Sequence, residues 1–455
     1  MKIKLVVASM SLLGLVSCPV FAATTSPESM TTSSTMSTTT PTHKHHHKHH
    51  HAHHKSHHMM AMVAVPVAPM AAEAAPVAAM VPTTMVFEQM NQSVGRSVPM
   101  PEWFNRIGFS GGMNVDAIKW GTRNANFEGE NYKRVSLNDV YLNTAVNVND
   151  WTRAFLSLSF ANPTAPSGIA GIASRDALGQ YSAVYSNNNF NLEQGYVTIG
   201  NFDMMPVFLQ LGKQYTDFSR YTIHPITRSL TQVLSESLQT SAKAGFILPI
   251  GLNGSVYAFD NSINKVGNTQ TGTNYGAALG FDHPNDQLGY NLGVGWMYNM
   301  IGANDVSYAV ASNDTAGVYQ NNVGAVAAYA GVNSGPFNAS ATYTTALSNF
   351  NVLDMQQALS TANGGAKPWA WGLQAGYGFN YWAKSQNVYL GYQASGEAAY
   401  VYLPTNRWQV GYNVDFWKNT NFGLEYDHDT DYSVARGGKG QNANLLSFRA
   451  AVKFG

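Results

Sequence analysis

From Trp103 to Gly455, apolar and polar side chains alternate with a period of two in one short segment after another. In 369–379, for example, the odd positions carry Trp, Leu, Ala, Tyr or Phe, and the even positions carry Ala, Gly or Gln. Successive side chains of a β-strand point to opposite faces, so this alternation predicts strands with one apolar face. The sixteen predicted strands cover 106–118, 134–148, 152–161, 190–200, 205–213, 240–249, 253–260, 273–282, 287–300, 320–333, 336–347, 368–380, 386–395, 406–416, 420–428 and 443–454.

The connections between these strands alternate in length. Seven are short turns, at 149–151, 201–204, 249–252, 283–286, 334–335, 381–385 and 417–419. Eight are longer, at 119–133, 162–189, 214–239, 261–272, 301–319, 348–367, 396–405 and 429–442. A membrane-spanning antiparallel barrel has this rhythm, with short turns on one side and long loops on the other. The sequence therefore predicts an all-β fold, a transmembrane antiparallel β-barrel of about sixteen strands over 103–455.

The composition agrees with a surface that faces lipid. Only 11% of the residues are charged and 12% are aromatic, whereas soluble domains carry about 25% charged residues. The formal net charge is zero, which argues against a nucleic-acid partner because no basic surface dominates. The last predicted strand ends on Phe454, and a terminal aromatic strand resembles the targeting signal of outer-membrane barrels. We therefore expect the outer membrane of a Gram-negative cell, with its lipid and its barrel-assembly machinery as partners.

The N-terminal residues predict secretion followed by an unfolded tail. Lys2 and Lys4 precede an apolar run, 5–16, that is too short to span a bilayer. Cleavage after Ala22 defines a signal peptide of 1–22, and the alternative is lipidation of Cys18, because 15–18 resembles a lipobox. Residues 23–102 are rich in Ser and Thr, then His, then Met, Ala and Pro, and cannot bury enough surface to fold. We predict a disordered tail over 23–102, in the periplasm if both barrel ends face inward.

A histidine tract is the main chemical feature of that tail. It holds eleven of the fourteen histidines of the chain. Neutral imidazole binds Zn, Cu and Ni, although the predicted fold requires no cofactor. Two interpretations stay open: metal capture beside the membrane, or a polar spacer that binds metal incidentally. The candidate ligands are His43, His45, His46, His47, His49, His50, His51, His53, His54, His57 and His58.

If the apolar positions of the strands face lipid, the alternate positions face the lumen. These positions carry polar and charged residues of both signs, and no ring of one sign stands out. We therefore predict no strong ion selectivity. For most of the charges, a pair that stabilises the wall is the better interpretation. The lumen candidates are Arg153, Lys243, Arg407, Glu425 and Arg449.

The connection from Lys213 to Thr240 differs from the others because it is long and concentrates aromatic and charged residues. In sixteen-stranded porins a loop commonly folds inward and narrows the pore. Arginine and aromatic side chains suit an anionic or polyhydroxylated ligand. The candidate ligand or pore-loop residues are Lys213, Tyr215, Asp217, Phe218, Arg220, Tyr221, His224 and Arg228.

Part of this connection resembles a known family. The residues Leu211-Gly212-Lys213, Phe218, Tyr221, His224 and Leu230-Thr231 resemble a motif of the legiobactin-receptor-like (LbtU-type) siderophore porins, and the resemblance covers most of 103–455. It implies a sixteen-stranded outer-membrane barrel that takes part in ferric siderophore uptake. Two features depart from the family pattern: Ser219 stands where Gly is expected, and the His- and Met-rich tail replaces a periplasmic coiled coil.

The leading hypothesis for function is a porin-like channel or receptor, with a ferric siderophore or another metal chelate as its cargo. The alternatives are a structural or adhesive surface barrel, and a barrel that anchors a periplasmic metal-binding tail. No catalytic motif is recognisable, so we do not expect an enzyme. The group Asp427-His428-Asp429 with Asp431 is either a divalent-cation site or a solvated acidic outer loop. A homotrimer is expected only by analogy with porins.

Overall fold

The structure is a computed structural model that describes residues 106–121, 132–160, 191–221, 225–269, 271–285, 287–313, 317–358 and 361–454. The predictions for the signal peptide, Cys18, the tail and the histidine tract lie outside these residues. The strands are β1 (Ile107–Gly121), β2 (Tyr132–Asn147), β3 (Thr152–Phe160), β4 (Asn191–Ile199), β5 (Val207–Tyr215), β6 (Leu238–Ile247), β7 (Leu252–Lys265), β8 (Thr271–His283), β9 (Gly289–Met297), β10 (Val318–Tyr319), β11 (Ala325–Ser334), β12 (Phe337–Ala346), β13 (Gln356–Ala358), β14 (Thr361–Gly365), β15 (Trp369–Tyr381), β16 (Lys384–Gly396), β17 (Asn406–Trp417), β18 (Thr420–Thr430) and β19 (Asn442–Phe454).

Sixteen of these strands form one closed antiparallel barrel. Strand β1 pairs with β2 on one side and with β19 on the other, where Gly111 lies opposite Phe454, so the sheet has no free edge there. The short strands β10, β13 and β14 belong to the long connections and are not part of the ring. Each of the sixteen predicted strands overlaps one barrel strand, so the predicted fold class is confirmed.

The predicted boundaries need correction near two long connections. Strand β7 continues to Lys265 and β8 begins at Thr271, so the predicted connection 261–272 shrinks to 266–270. Asp427, His428 and Asp429 lie on β18 rather than in an outer loop, because the ladder between β17 and β18 continues as far as Thr430. The prediction failed there because charged side chains on the inner face interrupt the apolar pattern from which strands are recognised.

The outer face of the barrel is apolar and is bordered by aromatic residues. Leu373, Leu390 and Val410 are each about half exposed on this face. Towards the long connections, the rings of Trp371 and Trp408 pack on either side of Tyr392, with centroids 5.4 and 4.5 Å from its ring. Towards the short turns, a second aromatic group includes the stacked pair Tyr381–Trp382, 4.8 Å apart, and the pair Phe416–Trp417, 4.6 Å apart. An apolar band between two aromatic rows is typical of a barrel embedded in lipid.

In the described part of the chain, two long connections carry helices that fold into the barrel. Helix α1 (Leu230–Ser235) begins after Ser229, whose hydroxyl accepts a hydrogen bond from the amide of Gln232 at 3.1 Å. Helix α2 is Asn304–Asn313, and single 3-10 turns lie at Met300–Gly302, Ala399–Val401 and Val434–Arg436. Among the described residues, no helix is both long and apolar enough to cross a membrane.

The connections form an apolar core on the inner side of the barrel wall. Many of its buried members come from the connections after β5, β9, β12 and β16, and they pack on inward residues of the strands such as Tyr257 and Phe259. They include Phe218, Leu230, Leu234, Met300, Ile301, Val306, Val310, Met355, Val401 and Leu403. This core could not be predicted from the sequence, because apolar residues outside strands show no period of two.

Candidate functional site

The connection between β5 and β6 enters the barrel and returns to its starting point. We call residues 216–237 the crossing segment. Its two ends meet at neighbouring strands, where the amide of Thr216 donates to the carbonyl of Ser237 at 2.9 Å. Between these ends, the described part contacts the barrel wall at two separate places before α1, and α1 itself also packs on the wall.

The first contact is with β6, β7 and β8, which we call the near wall. Lys243 Nζ donates to Asp217 Oδ1 at 3.1 Å, and Ser255 Oγ donates to Asp217 Oδ2 at 2.6 Å. The guanidinium of Arg220 donates to both carboxylate oxygens of Asp282, at 2.6 and 3.2 Å. Bidentate pairs of this kind fix orientation as well as position.

Arg220 also contacts an aromatic ring. Its guanidinium carbon lies 4.7 Å from the ring centroid of Tyr329 on β11. The backbone of Phe218 runs so close to β9 that a side chain at Gly295 would collide with its carbonyl oxygen. The absence of a side chain at position 295 therefore lets the crossing segment lie directly on the wall.

The second contact is with β16, β17 and β18, which we call the far wall. The carboxylate of Glu425 accepts hydrogen bonds from the backbone amides of Ile226 and Thr227, both at 2.8 Å. It also accepts a hydrogen bond from the hydroxyl of Tyr389 at 2.6 Å. Thr227 Oγ1 donates to Asp427 Oδ2 at 2.7 Å. Glu425 is fully buried, so these bonds compensate for the loss of its hydration.

An arginine completes the far wall. Arg407 Nε and Nη2 donate to the two oxygens of Asp429, each at 2.7 Å, and Nη1 donates to the carbonyl of Arg228 at 3.0 Å. The side chain of Arg228 forms ion pairs with Asp305 at 2.8 Å and with Glu236 at 3.1 Å. The crossing segment is thus tied both to the wall and to α2.

The two walls lie on opposite sides of the ring. Around the ring, β18 is the eighth strand from β7 in either direction. One direction passes through β8, β9, β11, β12, β15, β16 and β17. The other passes through β6 to β1 and then β19. Arg220 contacts β7 and β8, and Ile226 contacts β18, so six residues connect opposite sides of the barrel. The described residues on either side of 222–224 therefore lie at opposite sides of the lumen.

The crossing segment separates two chemically different halves of the inner wall. Helix α1 packs against β12, β15, β16 and α2, where Leu230 and Leu234 are almost completely buried in the apolar core. On the other side, Arg449 donates twice to Asp116, at 2.8 Å each. The other inward side chains described on β19 and β1–β6 are mainly polar, and include Asn143, Ser157, Thr198, Gln210, Ser241 and Ser447.

Tyr221 connects the two arms of the crossing segment. Its hydroxyl accepts a hydrogen bond from Ser235 Oγ at 3.2 Å. Burial raises the pKa of Tyr221, and the nearby Glu236 carboxylate raises this pKa further. The phenol therefore stays protonated at neutral pH.

The structure brings together most of the predicted pore-loop residues. Asp217, Phe218, Arg220, Tyr221 and Arg228 all lie in the crossing segment. Lys213 and Tyr215 lie on β5, at positions that alternate with the inward Gln214, and Lys213 Nζ donates to the carbonyl of Leu192 at 2.7 Å. These two therefore lie outside the crossing segment, and the hydroxyl of Tyr215 donates to Glu193 Oε1 at 2.8 Å. His224 lies outside the described residues.

The predicted lumen residues take part in the inner wall. Lys243, Arg407, Glu425 and Arg449 make the contacts described above. Arg153 is half-buried and lies opposite the inward Thr198 in the ladder between β3 and β4. The partner carboxylates Asp116, Asp282 and Asp305 were missed, because the sequence does not show which positions of distant segments meet.

The described residues contain no group of three or more His, Cys, Asp or Glu that is arranged to hold a metal ion. His428 Nδ1 lies 2.7 Å from Asn444 Oδ1, whereas Asp429 is paired with Arg407. Asp431 accepts hydrogen bonds from the amides of Tyr432 and Lys439. These carboxylates thus have separate protein partners.

Comparisons with curated sequences find relatives at low identity over most of the chain. No known protein-family profile matches the chain. It is similar to a UPF0422 protein of Coxiella burnetii, 27% identical over 344 residues that cover 74% of this chain and 66% of that protein. A UPF0422 protein of Legionella pneumophila (strain Lens) is 24% identical over 327 residues, which cover 69% of this chain and 57% of that protein. The chain thus spans less than two thirds of the length of these relatives.

A solved structure supports the architecture independently. The high-pH structure of Pseudomonas putida OprB superposes with a TM-score of 0.51 at 12% identity, over 76% of this chain and 94% of that chain. At this identity the similarity concerns the fold alone. Closed barrels with an apolar outer face are the β-structures that span outer membranes, which supports the predicted location.

Proposed function

We propose that the protein is a selective outer-membrane channel for small polar solutes, with a passage narrowed by the crossing segment. The observation that carries this proposal is the bridge between opposite walls, from Arg220 at Asp282 to Ile226 at Glu425. A segment fixed at both ends leaves less cross-section for a solute than an empty sixteen-stranded barrel.

The polar half of the inner wall is the proposed route. Two ion pairs are described there, Arg449 with Asp116 and Lys243 with Asp217. A passage lined by hydroxyls, amides and paired charges does not strongly favour either sign of ion. We therefore expect weak ion selectivity.

The resemblance to LbtU-type porins adds ferric siderophores as a proposed cargo. The two arginines that would suit an anionic chelate are engaged, because Arg220 pairs with Asp282 and Arg228 pairs with Asp305. Binding of an anionic chelate by these arginines would therefore require rearrangement of the crossing segment. Uptake of a radiolabelled ferric siderophore into liposomes that contain the barrel tests this cargo.

Planar-bilayer recording of the refolded full chain tests the channel itself. We expect discrete current steps in KCl, with a reversal potential close to zero in a salt gradient. A lumen closed throughout would give no current and would favour the alternative, a structural or adhesive surface barrel.

A further inference from the structure

Two neighbouring short turns carry large exposed aromatic side chains. The turn between β15 and β16 contains Tyr381 and Trp382, whose exposed fractions are 54% and 81%. At the turn between β17 and β18, Phe416 and Trp417 are 42% and 59% exposed. A lysine accompanies each aromatic pair. We define the lysine–aromatic rim as Tyr381, Trp382, Lys384, Phe416, Trp417 and Lys418.

Lys384 connects the two turns on the outer face of the barrel. Its Nζ lies 5.5 Å from the ring centroid of Phe416, close enough for the ammonium to be attracted by the ring. Phe416 lies on the same face of β17 as the half-exposed Trp408 and Val410, so this ammonium faces outward. Lys418, in the second turn, is exposed as well. Both positive charges thus lie among aromatic rings at one edge of the barrel.

The backbone of the first turn disfavours the residues that it carries. Trp382 and Ala383 have φ values of +52° and +55°. Two-residue hairpin turns with this backbone usually contain Asn and Gly, because a larger side chain is unfavourable at positive φ. An exposed tryptophan at position 382 therefore costs stability within the chain, which indicates a stabilising contact outside it. Tryptophan and tyrosine are enriched where a membrane meets water, because their rings are amphipathic.

Two further charges lie near the second turn but face the lumen. Lys453 lies on β19, and its amide donates to the carbonyl of Asn419 at 2.9 Å. Asp415 lies on β17. These two positions alternate with the outward aromatic residues Phe454 and Phe416, so their side chains point to the inner side of the wall. Among the described residues near these two turns, the outer side therefore carries two lysines and no carboxylate.

The other short turns differ in charge. The described part of those five turns contains no lysine or arginine, whereas Asp150 and Asp203 are present. Arg106 precedes β1 and donates to the carbonyl of Val148 at 3.0 Å, and Arg153 lies at an inward position of β3. Positive charge in the short turns is therefore concentrated at the lysine–aromatic rim.

An anionic lipid headgroup matches this combination of side chains. Lysine is a charged donor to phosphate oxygens, and clustered lysines attract anionic lipids at a membrane surface. The short turns of an outer-membrane barrel face the periplasm, where the leaflet consists of phospholipids. We propose that the lysine–aromatic rim binds the headgroup of an anionic phospholipid such as phosphatidylglycerol, with its phosphate held by Lys384 and Lys418. This binding does not depend on whether the barrel conducts.

Native mass spectrometry of the refolded full chain in a neutral detergent tests this site. The chain is titrated with phosphatidylglycerol or with phosphatidylcholine, and the bound lipids are counted. We expect the unmodified chain to bind phosphatidylglycerol more tightly than phosphatidylcholine. In Lys384→Gln combined with Lys418→Gln, the affinity for phosphatidylglycerol should fall about tenfold, because both lysines contribute to the attraction.

Lys367→Gln combined with Arg436→Gln is the matched control. It removes two exposed cations from long connections and changes the net charge by the same amount, so its affinity for phosphatidylglycerol should equal that of the unmodified chain. Equal affinity of the unmodified chain for the two lipids, or equal weakening in both double variants, would overturn the rim as a headgroup site. Displacement of the lipid by soluble poly-glutamate would indicate an acidic protein as the partner and would also overturn it.

Trp382→Gly separates lipid binding from a structural role of the turn. Glycine accepts the positive φ at this position, so the unfolding temperature in neutral detergent should stay the same or rise. Binding of phosphatidylglycerol should nevertheless weaken, because the exposed ring is lost. A lower unfolding temperature with unchanged lipid binding would show that Trp382 stabilises the barrel itself and would contradict its place in the site.

Discussion

The two walls hold the crossing segment by different chemistry. At the near wall, side chains of the segment pair with side chains of the barrel, as in Asp217 with Lys243 and Arg220 with Asp282. At the far wall, Glu425 binds backbone amides of the segment. The near contact therefore depends on the residues of the segment, whereas the far contact depends mainly on residues of the wall.

This difference indicates separate roles for the two contacts. A carboxylate that binds backbone amides tolerates substitution in the segment, because every non-proline residue has an amide. The far wall fixes the path of the segment across the lumen, and the near wall sets its orientation. Substitutions at the two walls should therefore differ in size and in kind.

The largest effect is expected for Arg407→Met. The substitution leaves buried Asp429 without its cation, close to Glu425 and Asp427, and removes the bond to the carbonyl of Arg228. Breaking a buried ion pair from one side costs about 3–5 kcal/mol. Thermal unfolding, followed by the heat-dependent shift of the barrel in gel electrophoresis, should show a clear loss of stability. Arg407→Lys should recover part of the lost stability. Equal stability of the unmodified protein, Arg407→Met and Arg407→Lys would contradict the proposal that Arg407 stabilises the far wall.

A smaller effect is expected for Glu425→Gln. The amide keeps one acceptor oxygen but loses the charge and the second acceptor, so one of the amides of Ile226 and Thr227 loses its partner. Charge-assisted hydrogen bonds contribute about 1.5–3 kcal/mol. Current recordings should show larger and noisier openings, because the segment leaves the far wall more often. Thr227→Val keeps both backbone hydrogen bonds to Glu425 and should change the current less. A larger change for Thr227→Val than for Glu425→Gln would contradict the proposal that backbone amides hold the segment at the far wall.

The near wall should respond more weakly to Arg220→Met. Asp282 retains 21% of its side-chain exposure, so water can replace part of the lost pairing. We expect a loss of about 1 kcal/mol in unfolding free energy and a changed conductance. A destabilisation as large as that of Arg407→Met would remove the proposed difference between the walls.

The smallest effect is expected for Lys213→Ala, which removes a positive charge close to the crossing segment in sequence. Lys213 is not on the inward side of β5, and its amino group contacts only the carbonyl of Leu192 among the contacts described above. Substitutions of this kind usually change stability by less than about 0.5 kcal/mol. Reversal potential and conductance should match the unmodified protein, whereas a change in ion selectivity would place Lys213 in the passage.

The sequence allowed the barrel to be predicted, because the alternation in segments such as 369–379 follows directly from the geometry of a strand. It also identified Lys243, Arg407 and Glu425 as inward residues, since they occupy the positions between apolar ones. Their partners could not be predicted. The pair of Arg407 with Asp429 depends on the register of two strands, and the pair of Arg228 with Asp305 joins two separate connections.

The inner apolar core was also beyond prediction, for a related physical reason. Residues such as Met300, Val310 and Val401 lie in connections, where no regular period distinguishes a buried side chain from an exposed one. They fold into the barrel because several connections can bury apolar surface against one another there. The functional residues of the segment were recognisable by type, whereas their contacts required the structure.

Removal of the crossing segment tests directly whether this segment narrows the passage. Because Thr216 and Ser237 lie side by side, residues 218–235 can be replaced by a short glycine-rich turn without moving β5 or β6. The size of the passage is then measured with neutral polyethylene glycols of increasing mass, which alter the current only when they enter. We predict a larger conductance and a larger size limit than for the unmodified protein, and an unchanged size limit in a folded barrel would contradict the proposal that this segment narrows the passage.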